Sequence, residues 1–213
     1  ANTRAVATPG IRCIWEDDMK GKDVTVEQME THHIWRWKDR QYMGAGKKKQ
    51  GGPIPEGVYK ILAAPAYAVT SPENDNGPWA EAPVKVPDYV NIIADLPPGQ
   101  GVPLHIHAKT IETFMAMQGA ITFEWGDDCE YSTVLEPFDL IAIPAGVNRR
   151  FENKTDKQAY MLVLISGGTH DMNDLIYSYK VGEKIRDEFG DEALGHVQKV
   201  GFRFLAGLEE AAE

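Results

Sequence analysis

His105 and His107 are separated by one residue, Glu112 follows them, and the stretch GVPLHIHAKTIETFMAMQG (residues 101–119) ends on Gly119. If this stretch folds as strand, turn and strand, both imidazoles lie on one face, because side chains alternate along a strand, and a carboxylate on the returning strand can meet them. Two neutral imidazole nitrogens and one carboxylate oxygen suit a single divalent transition metal at bond lengths of roughly 2.0–2.2 Å. Such a set leaves coordination positions open. It is the set expected of non-haem Fe(II) oxygenases, so Fe(II) is favoured, and Mn, Ni, Co or Zn would also fit. The ligands predict the open coordination more firmly than they predict the element.

The order and spacing of Gly101, His105, His107, Glu112 and Gly119 resemble the first motif of the cupin family, with a shorter gap after the first glycine than the commonest form. A second family motif (Gly, five residues, Pro-x-Gly, two residues, His, three residues, Asn) is matched at Pro144, Gly146 and Asn153. Phe138 stands where that motif has glycine, and Arg149 stands where it has a third histidine. The resemblance covers about residues 89–166 and implies an all-β fold, a double-stranded β-helix or jelly-roll barrel. It implies a metal held by His105, His107 and Glu112 and, as the favoured chemistry, O2-dependent ring or C–C cleavage of a small organic acid, aromatic acids included. It also implies a homodimer formed through barrel edges and swapped N-terminal strands. One fold hosts many chemistries, so the resemblance does not fix the reaction.

Arg149 discriminates between readings. A guanidinium has no free lone pair and cannot replace imidazole as a ligand. At about 5 Å from a divalent cation, with an effective dielectric near 20, each unit of metal charge costs it on the order of 3 kcal/mol. Three arrangements relieve that repulsion. A substrate carboxylate can chelate the metal and fork onto Arg149, which would make Arg149 a catalytic, anion-orienting residue. The site can dispense with metal and pair Arg149 with Glu112. Or Arg149 can swing outwards.

Alternation places other side chains. With Glu112 inward, Phe114, Ala116 and Gln118 share its face; with Arg149 inward, Phe151 and Asn153 share that face. The expected pocket therefore holds two histidines, a glutamate, an arginine, the rings of Phe114 and Phe151 and an amide, with Phe114, Gln118, Arg149 and Phe151 as substrate-binding candidates. Mostly apolar walls with a few polar groups are what small-molecule sites have.

The elements that must position these groups follow from punctuation and periodicity. Short strands are predicted at Tyr89–Leu96, Leu104–His107, Ile111–Gln118, Ala120–Trp125, Glu130–Leu135, Phe138–Ile143, Asn148–Glu152 and Ala159–Ser166, separated by turn signals, as in an antiparallel sandwich or barrel. Residues 1–88 read as an N-terminal extension with accessory strands, 89–166 as the barrel core, and 167–213 as a C-terminal helical segment. Within the extension, Ile11–Trp15 and Val58–Val69 read as strands. Val24–Thr31 reads as a helix turn or strand entry, and the aromatic run His32–Trp37 as an edge or interface strand that suits dimerisation. Adjacent strand histidines face opposite ways, so His32 and His33 read as structural. Gly44–Gly52 lacks the glycine and hydroxyl of a phosphate-binding loop and reads as a solvated loop. Apolar residues at Val181, Ile185 and Phe189 have helical spacing, a second helix is expected at Glu192–Val200, and Phe202–Leu205 reads as a final strand.

Composition narrows the partners. The 213-residue chain has a net charge of −10, which repels a phosphate backbone and argues against nucleic acid. No run is long and apolar enough for a membrane span. The two cysteines, Cys13 and Cys129, make no disulfide framework and read as free thiols of a reducing cytoplasm. The expectation is thus a cytoplasmic, homodimeric, metal-dependent enzyme, a non-haem dioxygenase of a small organic acid. Its alternatives are a metal-free cupin that binds a small acidic ligand and an O2-independent isomerase or lyase.

Overall fold

The computed structural model describes residues 23–41, 54–73, 79–167 and 174–208; the strand expected at 11–15, the Gly/Lys loop at 44–52 and Cys13 lie outside them. In chain order the elements are α1 (Val26–His32), α2 (Glu56–Leu62), β1 (Ala66–Ser71), β2 (Val84–Lys85), β3 (Tyr89–Leu96), β4 (Gly101–His107), β5 (Ile111–Gln118), β6 (Ile121–Trp125), β7 (Tyr131–Leu135), β8 (Leu140–Ile143), β9 (Arg149–Glu152), β10 (Ala159–Ser166), β11 (Leu175–Ser178), α3 (Tyr179–Lys199) and β12 (Arg203–Ala206). A short 3-10 turn at Trp37–Asp39 follows α1. No helix among the described residues is long and apolar enough to cross a membrane.

The strands form two six-stranded sheets, one in the order β2-β1-β3-β10-β5-β8 and the other β12-β11-β4-β9-β6-β7. Inward residues such as Ile92, Ala94, Phe114, Phe123, Met161 and Val163 fill the space between them. Each central strand alternates buried and half-buried positions, so the period-two pattern of the sequence becomes the pattern of the core. The mostly antiparallel, all-β sandwich is the double-stranded β-helix architecture expected. Both flanking segments contribute strands to it: β1 and β2 extend the first sheet, and β11 and β12 extend the second.

The flanks differ from the strand pattern read in the sequence. Residues 56–62 form helix α2 rather than the start of a strand, and the strand begins only at Ala66. Val58 and Leu62, four apart, are both fully buried and join Tyr177, Ile185, Val197 and Phe204 in a second apolar cluster against α3. Tertiary burial of that helical stripe overrides the local strand preference of Val58, Tyr59 and Ile61. A Cβ on Gly57 would lie 2.6 Å from the Phe189 ring, so a larger residue there would force that half-exposed ring to shift. Residues 32–37 are not a strand either: α1 runs through His32 behind a Thr25/Gln28 capping box, and Trp37 opens the 3-10 turn. The Trp37 ring packs edge-on against Tyr67 and Tyr160 at 5.3 and 5.5 Å, and the Arg40 guanidinium covers it at 4.3 Å. The two expected C-terminal helices join end to end in α3, with the break at Gly190, whose φ is 85°.

On the outer face of the first sheet, Tyr67, Ile93, Leu162, Met115 and Leu140 stand opposite one another on successive strands and form an apolar row. Gly101 is required by proximity, since a Cβ there would meet the Phe151 carbonyl oxygen at 2.0 Å. Phe138 holds the position of the motif glycine and keeps its backbone conformation, at φ 76°. Its N–H donates to the Ala116 carbonyl at 2.7 Å, which fixes the turn, while its ring is 80% exposed and makes little use of the site. An L residue at such a φ is strained by about 1–2 kcal/mol, and glycine's greater freedom in the unfolded chain takes back part of that gain. Phe138→Gly is therefore expected to stabilise the protein by roughly 1 kcal/mol, read as a rise in melting temperature of about 2–4 °C. An unchanged or lower value would contradict the strain.

Candidate functional site

The motif residues reach one another from opposite sheets. His105 and His107 lie on β4 of the second sheet, Glu112 on β5 of the first, so the three meet across the sandwich. Strand β4 shifts register against β9 between Val102 and His105, which accommodates Pro103, a residue without an N–H to donate. All three side chains are buried, and their ligand atoms lie within 4.8 Å of one another. Glu112 Oε2 is 3.8 Å from His105 Nε2 and 3.6 Å from His107 Nε2.

The far ring nitrogens decide what faces Glu112. His105 Nδ1 lies 2.7 Å from the Pro103 carbonyl oxygen, which only accepts, so Nδ1 carries the hydrogen. His107 Nδ1 lies 2.7 Å from Asp174 Oδ2 and donates to that carboxylate. In their neutral forms both rings therefore turn an Nε2 lone pair towards Glu112 Oε2. Three electron-rich atoms converge with no hydrogen among them, an arrangement that a cation relieves. Ligands at roughly 2.1 Å from one ion sit about 3.0–3.5 Å apart, so the two distances to Glu112 would close by only a few tenths of an ångström around one. The donor set fits a divalent transition metal.

Arg149 is 1% exposed and fully inside. Its register opposite His105 carries it there. Nη2 donates to Glu112 Oε2 at 2.6 Å and Nη1 to the Val147 and His105 carbonyls at 3.3 and 3.5 Å, while Nε has no partner. Of the three arrangements open from sequence, this is the Arg149–Glu112 pair, and the guanidinium does not line the adjoining cavity. Its guanidinium holds Glu112 in this structure.

That cavity has a volume of about 160 Å³ and is walled mainly by small and apolar residues, among them Ala66, Ile92, Val102, Phe151 and Val163, with His105, His107 and Glu112 at one side. Tyr59 and Leu62 of α2 also line it. The Tyr177 ring lies 5.9 Å from that of His105, and its hydroxyl donates to the Leu62 carbonyl at 2.9 Å, tying α2 over the site. Burial pushes the Tyr177 phenol upward, so it keeps its proton. Of the other expected residues, Phe151 borders the cavity, but Phe114 is fully buried against Phe123 and Phe151 and does not line it. Gln118 does not reach the site. The β10–β5 register shifts near it, and its exposed amide donates to the Gln158 carbonyl at 3.4 Å. Asn153 instead pins the Leu96 and Lys157 carbonyls at 2.7 Å each.

Sequence reading missed Asp174, which lies 67 residues from His107 and carries no local signal of its partner. It also missed Tyr59 and Tyr177, because α2 and β11 were not read as elements.

Burial, then the Arg149 charge, pushes His105 down to about 4. Burial opposes ionisation of Glu112, but His107 and Arg149 outweigh it and hold the carboxyl well below its usual range. Asp174 is likewise disfavoured by burial and more than compensated by hydrogen bonds from His107, Thr110 and the Lys109 backbone. All three shifts have one sign. His105 is neutral when folded, so the stability it contributes is complete above its unfolded value near 6.5 and is lost as pH falls towards 4, on the order of 3 kcal/mol. The two carboxylates add a further loss below their unfolded values. Denaturant unfolding of metal-free protein is expected to show falling stability from about pH 6.5 to about pH 4.5, and His105→Gln to flatten that window. Equal pH dependence in both proteins would contradict the neutral buried imidazole.

The cupin domain family model matches residues 92–165. No curated protein matches the chain. Among similar solved structures, the DMSP lyase DddQ of Ruegeria pomeroyi shares 17% identity over 60% of this chain and 56% of its own, with a TM-score of 0.44. A Klebsiella pneumoniae protein with a double-stranded β-helix domain shares 20% over 38% of this chain and 69% of its own, TM-score 0.35. A Thermus thermophilus protein shares 24% over 38% of this chain and 73% of its own, TM-score 0.35. With the first motif, the two-sheet sandwich and the inward His-His-Glu cluster in place, residues 92–165 form a cupin domain.

Proposed function

We propose that this protein is a metal-dependent enzyme, a non-haem dioxygenase that acts on a small monoanionic organic acid in the cytoplasm. The observation that carries the reading is the convergence of two imidazole nitrogens and a carboxylate oxygen at the wall of an apolar cavity. Charge supports it. Glu112 and Asp174 against Arg149 leave one uncompensated negative charge when both imidazoles are neutral. Buried charge without a partner is costly, so the site favours a cation. A divalent ion reverses the balance to one positive charge, which a monoanionic ligand neutralises.

His105, His107 and Glu112 would hold the ion. When bound, it would supply Lewis-acid and redox chemistry to a ligand in the cavity. The protein's own groups do the rest. The Pro103 carbonyl and Asp174 orient the two rings, Arg149 holds Glu112 ionised, and α2 with Tyr177 shields the site from water. The volume of about 160 Å³ is close to that of an apolar cavity of about 150 Å³ that takes up benzene, which limits the acid to a compact body. Apolar walls suit both that body and O2. The homodimer expected from the sequence is proposed through the apolar row Tyr67, Ile93, Leu162, Met115 and Leu140, whose own side chains carry no charge and which Asp95 and Arg40 flank at the Tyr67 end.

The Arg149–Glu112 contact favours a second reading, a metal-free cupin that binds a small acid. Elemental analysis of protein purified without added metal separates the two. Near-stoichiometric transition metal, lost in His105→Ala, is expected; none, with unchanged binding of acids, supports the second reading. Oxygen consumption by the metal-loaded protein with short-chain and aromatic acids then tests the reaction. Turnover without O2 uptake would instead mark an isomerase or lyase.

A further inference from the structure

We infer that Asp174 is a positioning residue of the cluster: it fixes His107 as the Nδ1–H tautomer, so that the Nε2 lone pair faces Glu112 and the cavity. The use of that lone pair rests on the metal reading above; the tautomer assignment does not.

Asp174 is 3% exposed, and each of its carboxylate oxygens accepts more than one hydrogen bond. Oδ1 takes the backbone N–H groups of Lys109 and Thr110 at 2.6 and 3.2 Å. Oδ2 takes the Thr110 hydroxyl at 2.5 Å and His107 Nδ1 at 2.7 Å. The Asp174 carbonyl also accepts the N–H of Ala108 at 2.8 Å. The whole turn from β4 to β5, which sets His107 relative to Glu112, is therefore organised around this one residue. With two backbone N–H groups on one oxygen and the Thr110 hydroxyl on the other, this carboxylate serves as an acceptor. The imidazole nitrogen facing it must carry the hydrogen. His105 is oriented by a neutral carbonyl instead, so of the two rings it is His107 that donates to a carboxylate.

An amide at position 174 cannot reproduce this. With its oxygen kept on the Lys109 and Thr110 N–H groups, its NH2 would face His107. The ring would then accept at Nδ1 and carry its hydrogen on Nε2, aimed at the cation position.

The test reads the ring nitrogens of metal-free protein by two-bond 1H–15N correlation, and Zn2+ and Co2+ affinity by chelator competition. Wild type is expected to show His107 with hydrogen on Nδ1. Asp174→Asn is expected to move it to Nε2 and to weaken Zn2+ binding about 10–100-fold. Thr110→Val, which loses the hydroxyl's bond to the same carboxylate and its 3.0 Å contact with His107 Nδ1 but leaves the carboxylate in place, is expected to keep the tautomer and bind Zn2+ within about threefold of wild type, so that loss of local structure alone is controlled. Hydrogen on Nε2 in wild type, which is readable even if Asp174→Asn does not fold, would overturn the inference. So would Asp174→Asn with both tautomer and affinity unchanged. Wild type that binds neither metal yet shows the Asp174-dependent tautomer would retire the metal reading and leave this one standing.

Discussion

The site turns on Glu112 Oε2, an oxygen that must be ionised inside the sandwich. It faces two imidazole lone pairs and one guanidinium, and only the guanidinium offers it a hydrogen. An ionised carboxylate in such surroundings survives only with compensation. The neighbouring architecture supplies it. The two sheets bring β4 and β5 face to face, the β4–β9 register sets Arg149 opposite His105, and the turn wrapped on Asp174 ties the end of β4 to the start of β5. None of these elements could slip by one residue without exchanging an inward group for an outward one.

Parts of this were legible in the sequence because they obey short periods. His105 and His107 share a face by the two-residue repeat, and β3 and β10 declare themselves through the alternation of Ile92, Ala94 and Leu96 and of Met161, Val163 and Ile165. Phe138 shows that a motif can be kept in backbone conformation after it is lost in residue type. What failed did so where a longer-range contact overrode a local pattern. Val58, Tyr59 and Ile61 have the composition of a strand, but the i, i+4 pair Val58 and Leu62 finds an apolar partner in α3. Gln118 continues the alternation of Glu112, Phe114 and Ala116 on paper, and a register shift at the end of β5 takes it out to solvent. Asp174 is invisible to any local reading, since nothing near it in sequence says that it will meet a turn formed by residues 108–110.

On the proposed reading, arginine in place of the second motif's histidine would change what kind of ligand the pocket selects. A histidine would add a fourth donor to the cation and no charge. Arg149 adds a charge and no donor. Because its guanidinium is turned onto Glu112 and the backbone, it cannot greet an incoming acid directly. Its influence on a ligand is electrostatic, through the carboxylate it holds. A site with three protein donors, one fixed cation and an apolar cavity is therefore tuned by total charge more than by specific hydrogen bonds. An acid would be chosen for its single negative charge and its fit to a small apolar space. Neutral analogues of the same shape would leave the added cationic charge uncompensated, and dianions would overshoot it. Discrimination would then follow ligand charge and volume, and the positions of a ligand's hydroxyl or amino groups would matter little, because the cavity walls beyond the cluster are mainly apolar and the Tyr177 hydroxyl is already committed to the Leu62 carbonyl.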